Sequence, residues 1–180
     1  ELFIRQGDVS TISNIPDIQK NVTSKVPDAQ VMSDLDACVA FAAKNPAVNA
    51  QKLAITGFCW GGRITWLYAA YNQQVKAGAA WYGRLEGNAT ELMPKYPIDV
   101  ASQINAPILG LYGGSDTGIS QDSVQLMVAA LNASGKKSKI VVYPDVGHAF
   151  NADYRPSYNE AAAKDAWAKL LDWFKTNGVS

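Results

Sequence analysis

The stretch Gly57-Phe-Cys-Trp-Gly-Gly62 constrains this chain more than any other. An apolar run of strand character, residues 52–56, precedes it, and Arg63-Ile-Thr-Trp-Leu-Tyr-Ala-Ala70 follows with the pattern of a buried helix. A strand must therefore pass into a helix, residues 61–72, through a turn that admits only small residues around Cys59, and glycine supplies the room. Such a turn lifts the Cys59 side chain off the sheet. It also sets it at a helix N-terminus, whose partial positive charge favours a thiolate or an oxyanion. A glycine-flanked cysteine also occurs as plain packing. Chemistry needs an acid and then a histidine downstream, each just after a strand.

The rest of the chain supplies those strands. Residues 1 to about 13 read as the end of an extended segment and a loop, in which Arg5 is the one strong charge among apolar neighbours. A short helix is predicted over 16–24. A firmer one starts at Pro27, with Val31, Leu35, Cys38, Val39 and Ala42 as its apolar stripe, and ends at Asn45-Pro46. Cys38 reads as packing on that stripe. Residues 75–82 form an Ala-rich buried strand ending in Trp81 and Tyr82, and 83–105 a long surface connection with one irregular turn. A third strand, 107–112, runs into Gly113-Gly-Ser-Asp116, and Ser120 caps a helix to about Asn132, stopped by Gly135. The fourth strand, 138–143, leads to Pro144-Asp-Val-Gly-His148-Ala-Phe150. Ser157 with Glu160 forms a capping box for the last helix, whose buried face is Ala163, Trp167, Leu170, Leu171 and Phe174.

Strands alternating with helices predict an α/β domain over residues 1–180, a mostly parallel sheet with helices on both faces. Such sheets bind ligands outside the carboxyl ends of their strands. Cys59, Asp116 and His148 all follow strand ends, in the order nucleophile, acid, base, and His148 is the only histidine. Taken singly, Asp116 is an ordinary turn residue and His148 an ordinary loop histidine. Together they predict a triad. Cys59 sulfur attacks a carbonyl, His148 handles the proton, Asp116 orients the imidazole, and the Trp60 backbone N–H stabilises the oxyanion. A second oxyanion donor comes from a loop after an early strand, and no such strand is predicted before residue 27.

Sixteen basic residues balance sixteen acidic ones without charge runs, which argues against nucleic acid. No apolar stretch approaches the ~20 residues of a membrane helix. Two cysteines without metal or disulfide spacing fit a reducing, cytoplasmic home and no bound metal. The sequons at Asn21, Asn88 and Asn132 are chance matches. With neither an initiator Met nor a targeting segment at Glu1, further sequence is expected upstream.

Gly57-Phe-Cys-Trp-Gly-Gly62, Gly114-Ser-Asp116 and Gly147-His-Ala-Phe150 together resemble the three motifs of the dienelactone hydrolase (carboxymethylenebutenolidase) family. Glu1-Leu-Phe-Ile-Arg-Gln6 resembles its segment just after the fourth strand, so the resemblance spans nearly the whole chain. It implies an α/β-hydrolase fold whose first strands precede residue 1. The implied reaction is hydrolysis of an enol-lactone, such as dienelactone to maleylacetate in chloroaromatic degradation, or of an activated ester, without metal or cofactor. It further implies that Arg5 binds a substrate carboxylate and that Trp81 and Tyr82 line the pocket, to which Phe150 adds a third aromatic ring. Where family members with this activity carry a second carboxylate-binding arginine, this chain has Ala152, and Arg155 is the nearby substitute. The family's other oxyanion donor and a thiol-activating glutamate lie in the part that precedes Glu1. Two other readings stay open. One is a non-catalytic fragment or ligand-binding module with Trp81, Tyr82, Phe150 and Tyr154 as its aromatic pocket. The other is a hydrolase of simple carboxylesters, thioesters or phosphotriesters, with loops 83–105 and 149–157 shaping the pocket.

Overall fold

The structure is a computed structural model and describes residues 2–179. They form two compact units, one of residues up to Val48 with Asn88–Pro94, the other of Asn49–Gly87 with residues from Lys95 onward.

The smaller unit holds α1 (Ile15–Asn21), a 3-10 turn at Thr23–Lys25 and α2 (Asp28–Ala42). Leu2–Gln6 is a turn rather than the predicted extended segment, closed by the Gln6 N–H on Phe3 O at 2.9 Å. Helix α2 is buried only through its first turns, at Asp28, Val31 and Met32. Cys38 is exposed and Phe41 is 78% exposed, against the expected packing role of Cys38. A helix buries only the turns that meet a neighbour, and the periodic stripe of α2 outruns its contact.

The larger unit carries a four-stranded parallel sheet, β1 (Ala54–Phe58), β2 (Ala77–Trp81), β3 (Ile108–Gly113) and β4 (Lys139–Tyr143), side by side in chain order. Phe58 pairs with Trp81, Trp81 with Leu111, and Gly113 with Tyr143. The carboxyl ends thus come level along one rim. Strand β1 ends two residues later than predicted, because its ladder runs on until the Cys59 N–H reaches Trp81 O at 3.0 Å.

Helix α3 (Trp60–Tyr71) packs on β1 and β2 with Ile64 through Ala69 buried. Alanine and glycine in β2, all buried, let it come close. The predicted need for small residues is met unevenly. A Cβ on Gly57 would lie 2.3 Å from Gly61 O and one on Gly62 2.4 Å from Trp81 O, whereas one on Gly61 would meet nothing within 4 Å.

The connection 83–105 is not a plain surface loop. It contains a 3-10 helix, Pro97–Gln103, and buries Leu85, Tyr96, Val100, Ala101 and Ile104. Its anchors are polar and easily missed: Asp99 accepts the Tyr96 N–H at 2.8 Å, and the buried Arg63 donates to Lys95 O at 2.7 Å while lying 4.8 Å over the Tyr96 ring.

Helix α4 (Gln121–Ala133) starts as predicted, with Ser120 accepting the Ser123 N–H at 3.1 Å, and Gly135 follows its end at φ +64°. Helix α5 (Glu160–Thr176) is capped by Asn159, which accepts the Ala162 N–H at 3.0 Å, and not by Ser157. The expected box fails because the helix begins with Asn159 as its cap, which makes Glu160 the first helical residue rather than the third. Its buried face is Ala162, Ala163, Ala166 and Leu170, with Trp167 and Leu171 45% and 54% exposed. Alanines let α5 lie close on β2 and β3, which pushes the two larger side chains to its flank.

Candidate active site

Three strand ends deliver the site. After β1 the chain turns at Cys59 with φ +54°, so that Cys59 becomes the N-cap of α3. After β2 comes Tyr82 at φ +37°, and beyond β4 comes Ala149 at φ +61°. Among the described residues these are the three non-glycine residues with positive φ. Each such conformation costs on the order of 1–3 kcal/mol and persists only where neighbours enforce it. All three border one place. His148 Nδ1 lies 2.7 Å from Asp116 Oδ2, and the same imidazole sits close enough to the Cys59 thiol to lower its pKa. The Asp116 side chain is 1% exposed and that of His148 34%, so the carboxylate is sealed and the imidazole opens outward.

A model of the dienelactone hydrolase family matches residues 1–178. The chain belongs to the dienelactone hydrolase family. A protein of Methylorubrum extorquens, provisionally named a carboxymethylenebutenolidase, is 60% identical over 180 residues, all of this chain and 62% of its own length. A Salmonella typhimurium protein of the same provisional name is 55% identical over 178 residues, 99% of this chain and 66% of its own. The chain thus spans under two thirds of these relatives. A crystal structure from Klebsiella pneumoniae, provisionally named a dienelactone hydrolase, superposes with a TM-score of 0.94 at 54% identity, over 97% of this chain and 72% of that one. A dienelactone hydrolase-like promiscuous phosphotriesterase from metagenomic libraries shares the fold at a TM-score of 0.70 and 17% identity, over 95% and 69%. The parallel sheet and its helices are the α/β-hydrolase fold of these proteins.

In this dienelactone hydrolase family chain the electrostatics reinforce the geometry. The hydrogen bond from His148 holds the Cys59 thiol below its ordinary pKa, against burial, with help from the Trp60 backbone N–H and the charge of Arg155. His148 is pushed up to about 9 by its hydrogen bonds to Asp116 and Cys59, burial opposing. Burial acts to raise Asp116, but His148 and the backbone N–H groups of Gly118, at 2.8 Å, and Ile119 outweigh it and leave the carboxyl below its usual range. The combination favours a thiolate facing an imidazolium.

The remaining expected residues fall into separate groups. Tyr82 packs edge-on against His148 with ring centroids 5.0 Å apart. Trp81 and Phe150 have no exposed surface and back Tyr82, with Phe150 5.4 Å from it. Arg155 lies close enough for its charge to act on both Cys59 and Tyr82, and sits 5.7 Å from the Tyr154 ring centroid. Arg5 belongs to the smaller unit, where it pairs with the Asp34 carboxylate. Sequence reading missed the Gly118 N–H that steadies Asp116, although Asp-Thr-Gly is a recognisable side-chain-closed turn. It also missed a buried bridge beneath the rim, where Trp66 Nε1 donates to the Tyr112 hydroxyl at 3.1 Å and that hydroxyl donates to Gly83 O at 3.0 Å. Among the described residues no cluster of three or more His, Cys, Asp or Glu is arranged for a metal, and no helix is long and apolar enough to cross a membrane.

Proposed function

We propose that this chain hydrolyses an enol-lactone or activated ester through a thioester on Cys59. The hydrogen-bonded line from Asp116 through His148 to Cys59, at the end of a strained strand-to-helix turn, carries this reading. Cys59 sulfur adds to the carbonyl carbon, and the carbonyl oxygen takes up the negative charge beside the Trp60 N–H. Collapse breaks the acyl carbon–oxygen bond, and the imidazolium of His148 protonates the departing enolate or alkoxide. Neutral His148 then takes a proton from water, whose oxygen attacks the thioester, and the thiolate leaves with the acid product released. Asp116 touches no reacting atom; it fixes the imidazole and stabilises its cation. Enolates and phenolates leave readily from such an adduct, whereas amides do not, so small ester or lactone substrates suit the site. Arg155, which lies over the Tyr154 ring and close enough for its charge to act on Cys59, supports a substrate with an anionic group. A thiol nucleophile suits a reducing cytoplasm.

The test compares the two thiols and one variant. Iodoacetamide at about pH 6 should label Cys59 ahead of the exposed Cys38, since only a depressed thiol keeps thiolate there. Cys59→Ala should abolish hydrolysis of p-nitrophenyl acetate and the acyl-enzyme mass. Retained hydrolysis in that variant, or faster labelling of Cys38, would refute the reading.

A further inference from the structure

We propose that Tyr82 is the positioning residue of the His148 imidazole, its ring holding the imidazole in the orientation that bonds Asp116 through Nδ1 and faces Cys59. The inference rests on the Cys59–His148 reading above and deepens it.

The His148 ring is tethered through its own Cβ and by Nδ1 on Asp116, while its side chain is 34% exposed and open on its outer side. The second constraint is the Tyr82 ring, 5.0 Å away and inclined at 62°, an edge-on aromatic contact. Tyr82 is itself buried, only 2% exposed and backed by Phe150 at 5.4 Å, Phe58 at 6.1 Å and Trp81 at 6.4 Å. Its backbone is held in a conformation that a bulky side chain rarely adopts, φ +37°. The Tyr82 N–H donates to Leu111 O at 2.8 Å, and the Tyr112 hydroxyl secures the next carbonyl, Gly83 O, at 3.0 Å. A chain that wanted only to fill space after β2 has no need of that conformation. The Tyr82 hydroxyl makes no hydrogen bond to any described residue, so its contacts here are those of the ring.

The test is the pH dependence of Cys59 alkylation by iodoacetamide, read by mass spectrometry of the Cys59 peptide, in the wild-type chain and in Tyr82→Phe, Tyr82→Leu and Tyr82→Ala. The groups whose charge bears on that thiol or on Tyr82 are His148, Arg155, Trp60 N–H and Tyr154, with Asp116 behind the imidazole, and all are unchanged across the series. Wild type and Tyr82→Phe should keep their reactivity at about pH 6. Tyr82→Ala and Tyr82→Leu should lose about tenfold there relative to about pH 9, as an unrestrained imidazole leaves the sulfur more often and thiolate formation moves up by about one pH unit. Near-UV circular dichroism identifies which of the two truncations folds, and the bulkier leucine keeps the comparison open where alanine collapses the site. An unchanged profile in a folded truncation overturns the proposal. So does a Phe variant that behaves like the truncations, since that places the effect in the hydroxyl. A wild-type chain without reactivity near pH 6 removes the Cys59–His148 pair first, and this role falls with it.

Discussion

Asp116→Asn changes a carboxylate to a near-isosteric amide at a side chain that is 1% exposed. Its Oδ1 already accepts the Gly118 N–H at 2.8 Å, so the amide oxygen takes that place and the amide NH2 faces His148 Nδ1. An NH2 donor requires a bare Nδ1, which puts the imidazole proton on Nε2, towards Cys59. The base becomes a donor, and the charge that favoured its cation is gone. Raising an imidazole from 6.5 to about 9 corresponds to about 3 kcal/mol of preference for the cation. Cys59 supplies part of it and solvent screens an imidazole that is 34% exposed, which leaves about 1–2 kcal/mol for Asp116. The low-pH limb of Cys59 alkylation should therefore move up by about one pH unit, and ester hydrolysis should fall by roughly 10²–10⁴-fold, with substrate binding little altered. Stability should follow with a definite sign. A raised folded-state pKa stabilises fully below the unfolded value of 6.5 and loses that contribution as pH climbs through about 9. The difference in urea midpoint between wild type and Asp116→Asn should thus be larger at about pH 6 than at about pH 10. An alkylation profile identical to wild type in a folded variant would show that the carboxylate does not govern the imidazole.

Two further expectations concern the scaffold. Gly62→Ala places a Cβ 2.4 Å from the Trp81 carbonyl oxygen and should cost at least about 2 kcal/mol by urea denaturation, while Gly61→Ala, with nothing within 4 Å, should stay within about 1 kcal/mol of wild type. Equal effects at the two positions would contradict the close approach of α3 to β2. Tyr112→Phe strips the bridge between Trp66 and Gly83 and leaves a buried indole N–H and a buried carbonyl without that partner, at a cost of about 1–3 kcal/mol; a loss below about 0.5 kcal/mol would mean the bridge is idle.

The four strands and the meeting of Asp116 with His148 at the rim were legible because both depend on local pattern. Apolar runs mark buried parallel strands, and Gly57 and Gly62 mark a turn that sterics permit to little else. The misreadings share a cause, since each needed knowledge of what lay opposite. Cys38 sits on an apolar stripe that α2 never covers, and Trp167 and Leu171 give way to alanines that bring α5 nearer the sheet. Segment 83–105 looks like loop because its anchors are a carboxylate on a backbone N–H and an arginine over a tyrosine. Asn159 caps in place of Ser157 because the helix starts two residues later than the box requires, with Asn159 accepting the Ala162 N–H. Strain is not written in residue names either. Tyr82 and Ala149 carry no sign of positive φ, whereas Cys59 is betrayed by the glycines beside it.

The seam between α3 and β2 is backbone against backbone: a Cβ on Gly83 would fall 2.3 Å from the Arg63 nitrogen, and one on Gly62 equally close to the strand. No side chain lies between to act as a cushion. The turn that carries Cys59 and the one that carries Tyr82 are therefore held against each other with backbone in direct contact. Motion of the outer helices should leave the separation of these two residues little changed.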